Sequence, residues 1–281
     1  MKPSKRHRPI RHATERVLNT LLLNGRVAGL SYRLGWHGRL GVARHEVELG
    51  PGKHLPRPLK IAFASDFHAG PTTHPGLFDA VLAALERERP DVLLLGGDYV
   101  SFDAANIADL GHFLRSARTP LGTYAVLGNH DLWNGGAEVS AALRASGAEV
   151  LVNRNAALPA PFGMVSICGI DDPWTGEPSL EAAFAGAGPV RIFLMHSPDG
   201  LWHLGAEDFS LAFAGHTHGG QVARRNGAPY KLPSGPYSRQ YHHGRFDIEG
   251  RGPLFVSRGI GCAGIPLRVH ADPELVICTL R

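Results

Sequence analysis

Cysteine is scarce in this chain, with three in 281 residues, at Cys168, Cys262 and Cys278. They are too few and too scattered for a disulfide framework or a CxxC metal knuckle, and are expected as buried thiols of a reducing compartment. Long apolar runs are missing too. The longest, such as Leu93-Leu94-Leu95 and Ile192-Phe193-Leu194-Met195, fall far short of the roughly 18 residues a spanning helix needs. No signal peptide is expected, because Met1–Arg16 leads into Val17–Leu23, which Asn19 and Thr20 interrupt and which lacks a small-residue cleavage site. Nor is there a collagen-like period or a low-complexity tract, although Gly (35) and Pro (21) are abundant. With 43% hydrophobic and 19% charged residues, the composition describes a globular chain of many short elements joined by tight turns. Its length allows one large domain or two small ones.

The net charge of +4 is unevenly placed. Residues 1–60 hold 13 Lys and Arg against 3 Asp and Glu, a net +10, whereas residues 61–281 hold 16 against 22, a net −6. Residues 1–40 therefore read as a basic arm, and 41–281 as one catalytic-sized domain. Val17, Leu18, Leu21, Leu22 and Leu30 recur at loosely helical spacing among Arg16, Arg26 and Arg33, which suits a helix lying on an anionic surface. The alternative is a solvated arm packed on its own domain or partly disordered, and Gly25 and Gly29 weaken the helix. Nucleic acid is a poorer partner for the arm, since only Tyr32 and Trp36 supply aromatics.

A strand is expected over Val42–Leu49, followed by a turn-rich connector. From Leu59 a pattern repeats: a short apolar run, a polar cluster, then an amphipathic stretch. The runs are Ile61–Ala64, Val92–Leu95, Tyr124–Leu127, Ile192–Met195 and Leu211–Ala214, with helices expected at His74–Arg89, Asn106–Ala117, Gly136–Ser146 and Leu180–Ala185. Such alternation predicts βαβ units and a buried, largely parallel sheet. After Gly219 helical patterns vanish, and Gly220–Ala223, Tyr241–Ile248, Leu254–Val256 and Leu275–Thr279 read as strands of a second, more antiparallel sheet. The whole is an α/β layered sandwich in one domain.

Each of the five runs leads at once into metal-competent side chains. They are Asp66-Phe67-His68, Gly97-Asp98, Gly128-Asn129-His130-Asp131, His196, and Gly215-His216-Thr217-His218. Ligands of open α/β sheets bind beyond the carboxyl ends of the strands, so these clusters should converge on one edge. In extended chain Asp66 and His68 point the same way and can grip one metal while Phe67 turns into the core. Mixed Asp, Asn and His donors suit Mn²⁺, Fe or Zn²⁺ better than Mg²⁺ or Ca²⁺. The glycines before Asp98, Asn129 and His216 let the backbone approach closely. The remaining histidines, His242-His243 among them, follow no ligand spacing and are expected at the surface or in loops.

These residues resemble the calcineurin-like metallophosphoesterase family, whose pattern DxH, GD, GNH[DE], H and GHxH is met in order from Asp66 to His218. The resemblance implies a four-layer αββα fold of two mixed sheets flanked by helices, and a binuclear site of two divalent ions (Mn²⁺, Fe²⁺/Fe³⁺ or Zn²⁺). Metal one would be held by Asp66, His68, Asp98 and His218, and metal two by Asp98, Asn129, His196 and His216, with Asp98 bridging. It implies hydrolysis of a phosphodiester or phosphomonoester by in-line attack of a metal-bridging hydroxide. His130 would be the non-ligand catalytic histidine, and Asp131 either orients it or caps its loop.

The segment Gly97-Asp98-Tyr99-Val100-Ser101-Phe102-Asp103 departs from the GDYVDRG of protein phosphatases. Ser101 replaces the carboxylate that steadies the catalytic histidine there, and Phe102 replaces the phosphate-clamping arginine, so a protein phosphatase is not expected. Gly169-Ile170-Asp171-Asp172-Pro173-Trp174, Gly219-Gly220-Gln221-Val222 and Ser257-Arg258-Gly259-Ile260-Gly261 with Pro266-Leu267-Arg268 look like the bacterial YkuE/YaeI-like phosphodiesterase branch. Arg258 and Arg268 are candidates to contact substrate phosphate or to form structural salt bridges. Trp174 would wall the pocket or fill the core, and the loops 171–178 and 228–243 would set specificity.

The substrate is then a phosphorylated small molecule or a lipid-linked one. The alternatives are a UDP-2,3-diacylglucosamine-type pyrophosphate hydrolase at the membrane surface, as in lipid A synthesis, and a metal-binding scaffold that has lost catalysis. A cytoplasmic location, peripheral at the inner face of the membrane through residues 1–40, follows from the arm.

Overall fold

The computed structural model describes residues 20–281. Period-two burial organises its two sheets. In Leu59–Ala64 (β2), the side chains of Leu59, Ile61 and Phe63 face the partner sheet while Ala62 and Ala64 face helices, and all five are buried. The first sheet also contains Gly41–Val47 (β1), Val92–Leu95 (β3), Thr123–Ala125 (β4), Glu149–Val150 (β5) and Glu274–Leu280 (β12), in the order β1-β12-β2-β3-β4-β5. The second contains Arg154–Ala157 (β6), Val165–Gly169 (β7), Val190–Leu194 (β8), Leu211–Ala214 (β9), Gly244–Asp247 (β10) and Pro253–Val256 (β11), in the order β10-β11-β9-β8-β7-β6.

Three apolar clusters separate four layers. Ile61, Phe63, Leu94 and Val126 meet Ile167, Ile192, Leu194 and Phe213 between the sheets. Leu77, Phe78, Val81 and Leu85 of the helix Gly76–Glu88 cover the outer face of the first sheet with Phe113. Leu180, Phe184, Leu201 and Phe209 cover the second sheet over Phe193 and Ala212. The expected αββα sandwich of mixed sheets is the observed fold.

Several elements differ from expectation. The strands after β9 build no sheet of their own: β12 inserts antiparallel beside β2, while β11 runs parallel to β9 and β10 antiparallel to β11. Gly220–Ala223 is no strand, because Val222 and Ala223 make only isolated bridges, to Val269 and Pro229. A short helix, Pro236–Gln240, does occur after Gly219, with proline at its first turn. The expected helix over 106–117 splits into 3-10 turns Ala104–Leu110 and an α-helix Gly111–Ser116.

Of the basic arm, Arg16, Val17 and Leu18 lie outside the described residues. Arg26–Arg33 is helical and packs on the body, burying Ala28 and Ser31, and the Arg268 N–H donates to the Trp36 carbonyl at 2.7 Å. His37 corrects the surface expectation for spare histidines: it is buried between Ser31 and the Thr72 carbonyl, and burial lowers its pKa to about 4. Leu21, Leu30, Leu34 and Trp36 stay exposed. No helix among the described residues is long and apolar enough to cross a membrane.

Candidate metal centre

The loops after β2, β3, β4, β8 and β9 bring all seven expected ligands together. Five of them, Asp66, His68, Asp98, His216 and His218, hold left-handed backbone conformations with φ between 47° and 70°. Such strain in side chains with a Cβ persists where the surroundings fix it, typically at functional sites. Glycine makes the approach of the loops feasible: a Cβ on Gly215 would lie 2.2 Å from Asp66 Oδ2, and one on Gly128 2.2 Å from Asp98 Oδ1.

Two groups of donor atoms form. In one, His68 Nε2 and His218 Nε2 face each other at 3.0 Å, with Asp66 Oδ1 3.5 Å from the latter and Asp98 Oδ2 3.6 Å from the former. In the other, His196 Nε2 lies 3.3 Å from Asp98 Oδ2, 3.1 Å from Asn129 Oδ1 and 3.2 Å from His216 Nδ1. Asp98 Oδ2 serves both. Ring nitrogens converging on carboxylate and amide oxygens suit a borderline transition metal, so the residues present fit the ions the sequence implies. Asp66, His68 and His218, and again Asp98, His196 and His216, offer ligand atoms within 4.8 Å of one another.

Neighbouring groups orient these ligands. The Gly96 carbonyl accepts from His196 Nδ1 at 2.8 Å and leaves Nε2 for the centre, while Ser101 Oγ lies 3.2 Å from His68 Nδ1. The His216 N–H donates to both Asp66 oxygens at 3.0 and 3.1 Å. Burial lowers His68 and His216 to about 3, holding both imidazoles neutral, the form that binds metal, and lowers His218 as well. Burial raises Asp66 to about 6. For Asp98 burial acts upward, but the charges of His196, His130 and His68 together with the His196 hydrogen bond outweigh it and keep the carboxyl well below the usual range; His196 is raised in return by Asp98 despite its burial.

His130 stands half-buried at the rim, edge-on to His68 at 4.8 Å and to Trp133 at 5.0 Å. Its Nδ1 lies 3.2 Å from the Ser101 carbonyl oxygen, so the main chain occupies the place of the missing carboxylate. Asp131 caps its loop, one of its two expected roles. Its oxygens accept from the backbone N–H groups of Asp98, Tyr99, Gly128 and Val100 at 2.8, 2.8, 2.9 and 3.2 Å, tying the β3 loop to the β4 loop.

Neither arginine is placed as a phosphate contact. Arg268 is buried, donates to the carbonyls of Gly261, Ala271 and Arg258, and lies 3.2 Å from His218 Nδ1, behind the ligand. Arg258 pairs with Glu274 at 3.2 Å. Arg268 thus takes a positioning role, its donors spent on main-chain carbonyls, whereas Arg258 forms the structural salt bridge, its other expected role, and keeps its Nε without a partner. Trp174 lines a cavity of about 500 Å³ beside the His196 loop. A second cavity, about 450 Å³, adjoins Thr217 and His218 and is walled by Val222, Tyr230, Lys231 and Ile265. Sequence reasoning missed Gly96 and Ser101, whose carbonyls act as orienting groups; main-chain acceptors leave no residue-type signature.

A family model described as calcineurin-like phosphoesterase matches residues 59–220, more than half of the chain. The chain belongs to the calcineurin-like phosphoesterase family. It is 30% identical over 240 residues to an uncharacterized metallophosphoesterase of Campylobacter jejuni, covering 81% of this chain and 60% of that protein. It is 29% identical over 228 residues to the phosphodiesterase YaeI of Escherichia coli, covering 79% and 82%. A 29% identity over 243 residues relates it to a transmembrane protein with a metallophosphoesterase domain of Bos taurus, of which it spans 53%. The chain thus spans about 60% of the length of some of its relatives. The family is one of metal-dependent phosphoesterases, and its members similar to this chain include YaeI and the uncharacterized metallophosphoesterase YkuE of Bacillus subtilis.

Proposed function

We propose that the chain hydrolyses phosphodiester bonds, with phosphomonoesters as lesser substrates, at a centre of two divalent ions. The observation that carries this reading is the meeting of two donor groups on one carboxylate oxygen, Asp98 Oδ2. Asp66, His68, Asp98 and His218 would hold one ion, and Asp98, Asn129, His196 and His216 the other, with Mn²⁺, Fe²⁺/Fe³⁺ or Zn²⁺ suited to the nitrogen-rich set. When bound, the ions supply Lewis-acid charge to the phosphoryl oxygens and activate water for in-line attack. Two cavities, one at the turns after His196 and one lined by His218, offer room for the substituents of an ester. The similarity to a named phosphodiesterase supports the diester.

The chain's own contribution starts at His130. With Nδ1–H directed at the Ser101 carbonyl, Nε2 would be the nitrogen that meets substrate. In its protonated form it donates to the leaving alkoxide as charge develops there, a role worth about 10²–10⁴ in rate. Asp131 holds the two loops in register, and Ser101, Gly96 and Arg268 fix the rings behind the ligands. Hydrolysis of bis-p-nitrophenyl phosphate with Mn²⁺, abolished by EDTA, tests the reading; an inert, metal-loaded protein contradicts it.

The exposed Leu21, Leu30, Leu34 and Trp36, beside the exposed Arg26, Arg33 and Arg39, support peripheral binding at an anionic bilayer.

A further inference from the structure

A cavity opens at the turns that follow the ligand His196. Pro173, Trp174 and Pro178 from the loop after β7, Trp202 from the turns Pro198–His203, and Pro236 wall its volume of about 500 Å³. Proline and tryptophan lose little conformational freedom on ordering, so such a slot is preformed. Two carboxylates tie it to the centre. Asp199, in the lining, follows His196 by three residues and accepts from the Tyr237 N–H at 3.0 Å. Asp172, next to Pro173, is fully buried and near enough to His196 and Asp98 for their charges to act on it.

Two observations say what belongs there. Trp202 is 67% exposed, an opening that core packing does not explain for so large an aromatic side chain. In the facing loop, Asp172 Oδ2, Trp174 Nε1 and Thr175 Oγ1 are buried without a hydrogen-bond partner. Native proteins seldom orphan such atoms, and Trp174, which lines the slot, carries one of the three. Glu177 and Asp199 in the lining disfavour an anionic occupant.

We propose that this slot is a subsite for a flat, uncharged aromatic ring on one substituent of the phosphoester, a nucleobase or an aryl group, stacked on Trp202 and Trp174. The inference rests on the phosphoesterase reading and deepens it by naming the substrate class. The test is calorimetric binding of thymidine 5′-monophosphate, phenyl phosphate and ribose 5-phosphate to the Mn²⁺-loaded full chain, since the three share a phosphate and differ in the ring. Both ring-bearing ligands should bind about tenfold more tightly than ribose 5-phosphate, in line with the usual worth of one stacked ring. Trp202→Ala should erase that difference and Trp202→Phe should restore most of it. Preference for thymidine 5′-monophosphate over phenyl phosphate supports a nucleobase, and equal preference supports any flat ring. Equal binding of all three, or a difference that survives Trp202→Ala, overturns the subsite. Turnover of bis-p-nitrophenyl phosphate by the same preparation judges the phosphoesterase reading separately.

Discussion

Replacing Asp131 by alanine removes the acceptor of four buried backbone N–H groups, those of Asp98, Tyr99, Val100 and Gly128. A buried donor left without a partner costs about 1–3 kcal/mol, so four at the low end amount to roughly 4 kcal/mol. For a chain of this size each kcal/mol shifts the melting midpoint by about 2–4 °C, which puts the fall on the order of 10 °C. Asp131→Asn keeps one acceptor oxygen and should lose about half as much. The two loops released carry Asp98, Asn129 and His130, so bound Mn²⁺ should fall with stability. Circular-dichroism melts and metal analysis of the three proteins provide the readout. A melting midpoint for Asp131→Ala within about 2 °C of wild type would refute the clamp.

His130→Ala should retain its metal and lose about 10²–10⁴ in kcat, and near wild-type turnover would remove His130 from the chemistry. Mn²⁺ affinity should rise with pH through about 6, because Asp66, raised to about 6, must lose its proton to bind. His196, raised by Asp98, must also lose its proton and extends the rise to higher pH, whereas His68 and His216, lowered to about 3, add nothing between pH 5 and 8. A calorimetric affinity independent of pH over that range contradicts this electrostatic picture. Gly128→Ala would drive a Cβ to 2.2 Å from Asp98 Oδ1 and should cut Mn²⁺ affinity at least about tenfold, which metal titration checks. Leu30→Ser with Leu34→Ser should reduce co-sedimentation with anionic vesicles and leave neutral vesicles unaffected; unchanged pelleting argues against the bilayer contact.

The centre was legible in sequence because its parts are local. Each ligand cluster follows an apolar run of four residues, and the strands Val92–Leu95 and Leu211–Ala214 match their runs end to end. What failed was long-range. Leu275–Thr279 reads as a strand, but nothing in its side chains says that it leaves the second sheet to pair antiparallel with β2. Val165–Gly169 escaped notice because Ser166, Cys168 and Gly169 interrupt its apolar pattern, yet all five residues are buried. Residue type leaves Arg268 open between a phosphate contact and a structural salt bridge; its role depends on three carbonyls brought in by chain folding. The part of the arm from Arg26 onward packs on the body because Ser31 and His37 find partners at Pro266 and Thr72, 235 and 35 residues away.

The central claim is a pair of ions joined through Asp98. Metal analysis of the wild type and Asp98→Ala after Mn²⁺ loading, run beside bis-p-nitrophenyl phosphate hydrolysis, tests it most directly. Two ions per wild-type chain are expected, with loss of both metal and turnover in Asp98→Ala. One ion per chain, or full activity in the variant, would contradict the account.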